Sequence, residues 1–300
     1  MEIIRTYPHN SKLPPLSTAI GFYDGLHLAH QQVINSAVRS SYKSAVITFM
    51  NHPLSIIAPE IAPKLIVRRK DAIQMFEEVG IDYLFIFDFT QNMMDLSPEA
   101  FIRKFIYGLN VKEVNVGYNF TFGFQAEGDR NTLKKYSEAF GYGIKVVEPI
   151  LLSGNVISSS RIRQFIAQGD MQQAAAYLGK YYFIRNKVFQ GKQKGSEFGF
   201  KTANMNIPHN MQRPKSGVYQ TQTIIDGITY KSITNIGNNP TIGTDDFRAE
   251  THILDFNQML YGQEIKVEFV KFMREECKFE NIEALKKQVL TDIAYVKGQA

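Results

Sequence analysis

The stretch that decides the fold is TAIGFYDGLHLAHQQVINSAVR, residues Thr18 to Arg39. It begins with a short apolar run, Thr18–Phe22, that predicts a buried strand. The segment Gln31–Arg39 spaces its apolar residues like one face of a helix, and Asp24-Gly25 between them is a turn signal. A strand that passes through a tight turn into a helix is the first part of a βαβ unit, so we predict that a parallel sheet begins here.

The same alternation continues through the first half of the chain. Four further apolar runs predict strands: Ser44–Met50, Tyr83–Phe87, Glu113–Val116 and Ile144–Val147. Three further amphipathic segments predict helices: Asp71–Val79, Pro98–Tyr107 and Asn131–Phe140. Buried strands that alternate with helices are typical of a doubly wound α/β sheet, which binds ligands at the carboxyl ends of its strands.

The second half, from about Tyr181, has a different periodicity. Three segments alternate apolar and polar residues with a period of two, as antiparallel strands with one wet face do: Val218–Ile224, Ile228–Thr234 and Glu264–Phe272. One amphipathic helix follows, with these apolar residues largely on one face: Ile282, Leu285, Val289 and Ile293. We therefore predict a small antiparallel β-barrel with a C-terminal helix.

Length and composition agree with two globular domains. Three hundred residues exceed one ordinary core, and we place the boundary after a helical pair broken at Gly169-Asp170, giving domains 1–180 and 181–300. The single cysteine, Cys277, excludes an internal disulfide and a cysteine-based zinc site and predicts a reducing, cytoplasmic compartment. The first residues lack a signal-peptide pattern, and no apolar run approaches the ~18 residues of a membrane span.

The charge of the chain is mildly basic. A net charge of +5 and a pI near 9.0 suit anionic small molecules such as nucleotides as well as they suit nucleic acid. We interpret the short clusters Arg68-Arg69-Lys70 and Lys286-Lys287 as solvated surface charge.

Two histidines stand at the beginning of the first helix. His27 and His30 are three residues apart and so share a helical face, at a helix N-terminus where amide groups and the dipole favour phosphate. Their imidazoles could stabilise negative charge that develops during nucleotidyl transfer. The alternative is an ordinary strand-to-helix turn.

A second anion-binding pattern lies in VISSSRIRQFI, Val156–Ile166. Its serines are good N-caps, and Arg161 and Arg163 follow in the first turn, where basic residues oppose the helix dipole. A bound polyanion would explain that arrangement. The alternative is that both arginines pair with nearby carboxylates.

Together the two patterns resemble the H-x-G-H and I-S-S-T-x-x-R signatures of the adenylyltransferase superfamily. The resemblance narrows to the prokaryotic bifunctional riboflavin kinase/FMN adenylyltransferase family. It runs through almost the whole chain and implies a nucleotidyltransferase-like first domain that converts FMN and ATP to FAD, and a second domain that phosphorylates riboflavin to FMN. It is carried by these segments: GFYDGLHLAH (21–30), FMNHP (49–53), VGYNFTFGFQAEGD (116–129), GKQKGSEFGFKTAN (191–204), SGVY, TNIGNNPTI, ETHILDF, LYGQEIKVEF and MREECKF.

In the first domain the resemblance implies that His27 and His30 hold the ATP phosphates during adenylyl transfer. Ser158, Ser159 and Arg163 would close over the same triphosphate, and Asn119 would lie beside the FMN. The remaining nucleotide-binding residues that it implies are Gly21, Phe22, Asp24 and Arg161.

In the second domain the resemblance implies that Thr202 and Asn204 hold Mg²⁺ with the ATP phosphates, and that Glu250 is the general base for the ribityl hydroxyl. Hard oxygen ligands suit Mg²⁺, and a hydroxyl nucleophile needs a carboxylate within reach. Three glycines could let backbone amides approach the phosphates: Gly191, Gly195 and Gly199. The expected partners are ATP, FMN and riboflavin, without nucleic acid or a membrane; no oligomeric state is predicted.

Several positions depart from the family pattern: Phe22-Tyr23 replaces Asn-Phe, Ala29 a glycine, Asn51 and Lys201 prolines, Ser160 a threonine and Asn186 a glycine. These departures leave two alternatives open. One is a monofunctional FMN adenylyltransferase with a degenerate kinase domain. The other is a non-catalytic relative that binds nucleic acid or regulates through its basic surface.

Overall fold

The computed structural model describes residues 1–8, 12–52, 54–190, 200–238 and 247–298. The chain divides into two compact units, Met1–Ser159 and Ser160–Ala300. This division groups the helical pair near residue 170 with the second unit, whereas the sequence-based boundary groups it with the first. The boundary at residue 180 stays a prediction.

The first unit contains a six-stranded, wholly parallel sheet, which confirms the predicted doubly wound class. Its strands occur in the order β1-β4-β3-β2-β5-β6. They are β1 (Glu2–Ile4), β2 (Leu16–Ile20), β3 (Lys43–Phe49), β4 (Tyr83–Phe87), β5 (Val111–Gly117) and β6 (Gly143–Val147). A short hairpin, β7 (Leu151–Leu152) and β8 (Asn155–Val156), follows the sheet.

Helices cover both faces of this sheet. They are α1 (Leu28–Val38), α2 (Leu54–Ile57), α3 (Arg69–Val79), α4 (Gln91–Met94), α5 (Pro98–Ile102) and α6 (Arg130–Phe140), and α5 continues as a π-helical turn, Arg103–Tyr107. Successive strand residues point to opposite faces, so Ala45 and Ile47 join the core beneath α5 while Val46 points the other way. Burial of these apolar side chains is the main stabilising contribution to the unit.

The strand order reverses between β2 and β5. The chain moves outward from β2 through β3 to β4, then crosses back to form β5 on the other side of β2. In a doubly wound sheet such a reversal opens a crevice at the carboxyl ends of the two strands. The turn after β2 and the loop after β5 therefore meet at one edge.

The second unit begins with two helices, α7 (Ser159–Gln168), of which it contains all but the first residue, and α8 (Met171–Leu178). They are separated at Gly169-Asp170 as predicted. Asp170 caps α8 by accepting a hydrogen bond from the Gln173 backbone N–H. Gly169 has a φ of +81°, a conformation that favours glycine.

The rest of this unit is a near-closed antiparallel barrel, as predicted. Its strands occur in the order β10-β13-β12-β11-β14-β9, and a bridge between Phe189 and Asn204 joins the two edges. They are β9 (Tyr182–Lys187), β10 (Ala203–Asn206), β11 (Gly217–Ile225), β12 (Ile228–Asn238), β13 (Phe247–Ile253) and β14 (Glu264–Arg274). The C-terminal helix is α9 (Ile282–Gly298), whose buried Asp292 pairs with Arg274 at 2.8 Å.

Two local predictions need correction. The strand predicted as Thr18–Phe22 is Leu16–Ile20. The first helix begins at Leu28 with His27 as its N-cap, which confirms the predicted position of the two histidines at its N-terminus. The interpretation of Arg68 as solvated charge is wrong: its guanidinium binds the buried carboxylate of Asp71 at 2.7 Å.

Candidate active sites

The two histidines lie together at the N-terminus of α1. His27 is buried and is the N-cap residue, and its Nδ1 accepts a hydrogen bond of 3.3 Å from the His30 backbone N–H. The two imidazole rings stack, with centroids 3.5 Å apart and planes 18° from parallel. The structure thus brings both residues to the helix terminus at which an anion is favoured.

The capping bond sets the protonation of His27. Because Nδ1 accepts, a neutral His27 carries its proton on Nε2, which can then donate to a phosphate oxygen. The same side chain therefore completes the helix terminus and presents a donor.

Asp24 holds the turn that leads to these histidines. Its carboxylate accepts backbone N–H bonds from Ile66 at 2.9 Å and from Val67 at 3.3 Å. Its backbone carbonyl accepts a bond of 3.2 Å from the Ser159 hydroxyl. Asp24 thus binds two distant segments to the turn, and Gly25 in that turn has a φ of +82°.

The other residues of the turn pack closely. A side chain on Gly21 would meet the ring of Tyr23 at 3.1 Å, and that buried ring lies edge-on to His30 with centroids 5.2 Å apart. Phe22 makes a similar contact, at 4.8 Å, with His52, which follows β3. Ala29 lies half-buried in the first turn of α1.

Asn119 lies on the loop that follows β5, across the strand reversal from the histidine turn. It is exposed, and its amide oxygen lies close to the position that a side chain on Gly117 would occupy, at 3.5 Å. Tyr118 and Phe124 of the same loop are also exposed aromatic residues. This edge therefore offers flat apolar surface and an amide.

The predicted triphosphate-closing residues fall on either side of the division between the two units. Ser159, in the first unit, contacts the Asp24 turn, and Ser158 precedes it. Arg161 and Arg163 lie in the first turns of α7 and belong to the second unit. Their placement with the histidines stays a prediction.

From the sequence, Asn51 stands out only as a departure from the family pattern, and its contacts are what sequence reasoning missed. Its amide donates to the Phe89 carbonyl and accepts from the Phe89 N–H, both at 3.0 Å, so it joins the ends of β3 and β4. An asparagine directly after a buried strand is a signal for such side chain to backbone bonding. In this chain the two bonds from Asn51 restrain the backbone at the position where the family pattern has a proline.

In the barrel, Glu250 lies in a row of polar side chains. Its register partner on β10 is Asn204, and its register partner on β12 is Asn235. Directly opposite residues have Cβ atoms about 5 Å apart, so the carboxylate lies between two carboxamides. Asn235 is absent from the residues predicted from sequence because strand register is not readable from one sequence.

The environment of Glu250 favours a proton acceptor. Burial is the main cause that raises the pKa of its carboxyl, the charge of Arg248 lowers it, and that of Glu276 raises it again. A carboxylate with a raised pKa is a stronger base than an ordinary glutamate.

The proposed metal-binding pair is adjacent in the fold. Asn204 is buried, and its amide nitrogen donates to the Thr202 carbonyl at 3.3 Å, so its oxygen is the amide atom suited to Mg²⁺. The hydroxyl of Thr202 supplies a second hard oxygen. This donor set fits Mg²⁺ that is held mainly by phosphates. Gly191, Gly195 and Gly199 lie outside the described residues.

The barrel accommodates the two departures from the kinase pattern. The ammonium of Lys201 donates to the Asn257 side chain at 2.7 Å, and its carbonyl lies 2.9 Å from the His252 ring nitrogen Nδ1. The amide of Asn186 donates to the Asn206 carbonyl at 2.8 Å, linking β9 to the end of β10. Both side chains thus bond within the barrel itself.

Comparison with known proteins finds two matching family models: residues 9–161 match FAD synthetase, and residues 178–299 match riboflavin kinase. The bifunctional riboflavin kinase/FMN adenylyltransferase of Bacillus subtilis (strain 168) is 34% identical over 298 residues, covering 96% of this chain and 94% of that protein. The chain belongs to this family. A riboflavin kinase/FMN adenylyltransferase from Haemophilus influenzae is 31% identical over 305 residues, covering 99% of both chains.

A solved structure also matches. A protein described as Macrolide-efflux Protein from Streptococcus pneumoniae is similar with a TM-score of 0.90 and 26% identity, covering 100% of both chains. That description belongs to the other protein, while membership of the riboflavin kinase/FMN adenylyltransferase family rests on sequence. In the described part of this chain, no helix has the length and apolar character needed to cross a membrane.

Proposed function

We propose that this chain makes FAD from riboflavin in two ATP-dependent steps, one in each domain. The observation that carries the first step is the stacked pair of histidines at the N-terminus of α1. In that step a phosphate oxygen of FMN attacks the α-phosphorus of ATP, the bond to the β-phosphate oxygen breaks, and pyrophosphate leaves.

In the first domain, His27 and His30 would stabilise the negative charge on the ATP phosphates as it builds up at the α-phosphorus. Preorganised donors at such a position are commonly worth about 10² to 10³ in rate. Gly21, Phe22 and Asp24 would shape the nucleotide side of the turn, and the FMN would lie beside Asn119. The residues that would close over the triphosphate are Ser158, Ser159, Arg161 and Arg163.

In the second domain, Glu250 would take the proton from the terminal ribityl hydroxyl of riboflavin as that oxygen attacks the γ-phosphorus of ATP. The bond from the γ-phosphorus to the β-phosphate oxygen breaks, and ADP leaves with FMN as the product. Thr202 and Asn204 would hold Mg²⁺, which when bound neutralises phosphate charge. Backbone amides at Gly191, Gly195 and Gly199 would bind the same phosphates.

The remaining parts of the proposal concern the chain as a whole. The domains would extend over residues 1–180 and 181–300. The partners would be ATP, FMN and riboflavin rather than nucleic acid or a membrane. The single cysteine, exposed at Cys277, supports a cytoplasmic location.

The test uses purified protein with Mg-ATP and either riboflavin or FMN, followed by chromatographic separation of the flavins. We expect FAD from both substrates and an FMN intermediate from riboflavin. FAD from FMN without any FMN from riboflavin would instead identify a monofunctional adenylyltransferase. No product from either substrate would overturn the enzymatic proposal.

A further inference from the structure

Glu276 lies two residues beyond the end of β14 and reaches the neighbour of the proposed kinase base. Its Oε1 accepts a hydrogen bond of 3.1 Å from the Asn235 amide nitrogen. Asn235 on β12 is the register partner of Glu250 on β13. One hydrogen bond and one strand pairing therefore connect Glu276 with Glu250.

The same carboxylate also lies beside Gly237 of β12. A Cβ built on Gly237 would lie 2.5 Å from Glu276 Oε1 and 3.2 Å from its Cδ. A side chain at position 237 would therefore displace the Glu276 carboxylate from this position. Glu276 thus bonds to the Asn235 side chain and occupies the space that a side chain on Gly237 would need.

Electrostatics alone would not favour a carboxylate here. Its charge opposes ionisation of Glu250 and would repel a bound polyphosphate. Because Glu276 is exposed, water and salt screen that charge, while the hydrogen bond to Asn235 still fixes a direction. The geometry therefore indicates a positional role.

We infer that Glu276 is a positioning residue for riboflavin phosphorylation, holding the Asn235 carboxamide in place beside Glu250. The inference rests on the proposed function of the barrel. Glu276 itself contacts neither substrate nor phosphate in this role. It acts by keeping the carboxamide next to the base in one orientation, and a small misplacement of such a neighbour lowers the rate of the chemical step.

The first experiment compares Glu276→Ala with Glu276→Gln in the full chain. The alanine variant loses the acceptor for Asn235, so we expect kcat for FMN formation to fall roughly tenfold, with KM for ATP nearly unchanged. The glutamine variant keeps an oxygen acceptor without the charge and should retain kcat within about threefold. Glu275→Ala is the matched control, since Glu275 pairs with Lys215 at 2.6 Å instead.

Hydrogen exchange at the β12 and β13 amides reports whether the barrel of each variant is folded, since a two-domain chain need not unfold in one step. Adenylylation of FMN by the same molecules reports only that the first domain is intact. If Glu276→Ala kept wild-type kcat, or if Glu276→Gln fell as far as Glu276→Ala, the positional role would be wrong. If the wild-type chain formed no FMN from riboflavin, the proposed kinase function would fail instead.

A second route avoids truncating Glu276. Gly237→Ala pushes the carboxylate away, so we expect it to lower kcat for FMN formation in the wild-type background. In the Glu276→Ala background the space is empty, and the same glycine change should cost little more. Equal costs of Gly237→Ala in both backgrounds would overturn the inference.

Discussion

His27 combines a structural role with a proposed chemical role in one side chain. Its Nδ1 caps α1, which fixes the ring, and the ring stacks on His30. The fixed ring then presents Nε2 as a donor. A capping serine or aspartate would complete the helix equally well but would not supply the imidazole.

Two substitutions of His27 separate these roles. Both His27→Asn and His27→Ala should lower FAD formation from FMN by about 10² to 10³. Asparagine is a good N-cap, so only the alanine variant should also lose about 1 kcal/mol of stability. Flavin chromatography measures the first effect and the urea midpoint the second. A fully active His27→Asn enzyme would contradict the proposed role of the ring.

At the scale of single elements, periodicity predicts most of the fold. The strand Tyr83–Phe87 is found as predicted, and helix α3 is found two residues longer at its start. Strand β13 is not among the predicted strands, although FRAETHI alternates with a period of two. The three residues of β1 are too few and too exposed to give a periodic signal.

The candidate sites can be predicted from the sequence only where their residues lie close together along the chain. The histidine pair is local in sequence, so its spacing on α1 is readable. The bonds from Asp24 to Ile66 and from Asn51 to Phe89 join segments about 40 residues apart, which one sequence does not reveal. The register that sets Asn235 beside Glu250 is equally non-local.

Strands β3 and β4 are joined at their beginnings by Asp82, which makes their stability depend on pH. Its carboxylate accepts from Lys43 Nζ at 2.8 Å and from the Ser44 N–H at 2.9 Å, and these bonds hold its pKa below the ordinary 3.8. A carboxyl whose pKa is lower in the folded chain than in the unfolded chain stabilises the fold at pH values above the unfolded-state pKa. That stabilisation is lost as the pH falls through the folded-state pKa.

Asp82→Asn should therefore destabilise the first domain at pH 7 by about 1 kcal/mol or less, since the ion pair is largely exposed. The difference from wild type should shrink as the pH falls below the ordinary value. The test is to measure the urea midpoint of both proteins at pH 7, 5 and 3, with the amide signals of β3 and β4 as the reporter of unfolding. A difference that stayed constant over that range would show that the charge is not responsible.

A ladder of buried hydroxyls joins β11, β12 and β13 inside the barrel. Thr221 Oγ1 lies 2.8 Å from both Ser232 Oγ and Thr234 Oγ1, and Thr234 continues the ladder to Thr251 at 2.9 Å. Thr223 bonds only to Ser232 within the ladder, also at 2.8 Å. Thr221 is thus a hub and Thr223 an end.

Thr221→Val should destabilise the barrel by about 1 to 3 kcal/mol, because the buried hydroxyls of Ser232 and Thr234 each lose a hydrogen-bond partner. Thr223→Val removes one ladder bond and should cost less. Hydrogen exchange at the β11 and β12 amides is the suitable measurement, since a two-domain chain need not unfold in one step. Equal effects of the two valine variants would contradict a hub role for Thr221.

At the scale of the whole molecule, each of the two proposed steps belongs to one domain. We expect FMN to leave the domain that makes it and to bind, as a free molecule, to the domain that uses it. Glu250→Gln should form FAD from FMN but nothing from riboflavin, and His27→Asn should stop at FMN. Mixing the two variants should restore FAD formation from riboflavin after a lag, as flavin chromatography would show. A mixture that made FMN but no FAD would mean that both steps must occur on one chain.

The bond from Ser159 to Asp24 also has a consequence for biosynthesis. Its two residues are 135 positions apart, so at roughly 5 to 20 residues per second the ribosome needs about 7 to 27 s between them. The last strand of the sheet, ending at Val147, is synthesised earlier. A nascent chain that stalls between Val147 and Ser159 can complete its sheet while the histidine turn still lacks the hydrogen bond from Ser159 to Asp24. The proposed nucleotide site is therefore completed later in translation than the sheet that carries it.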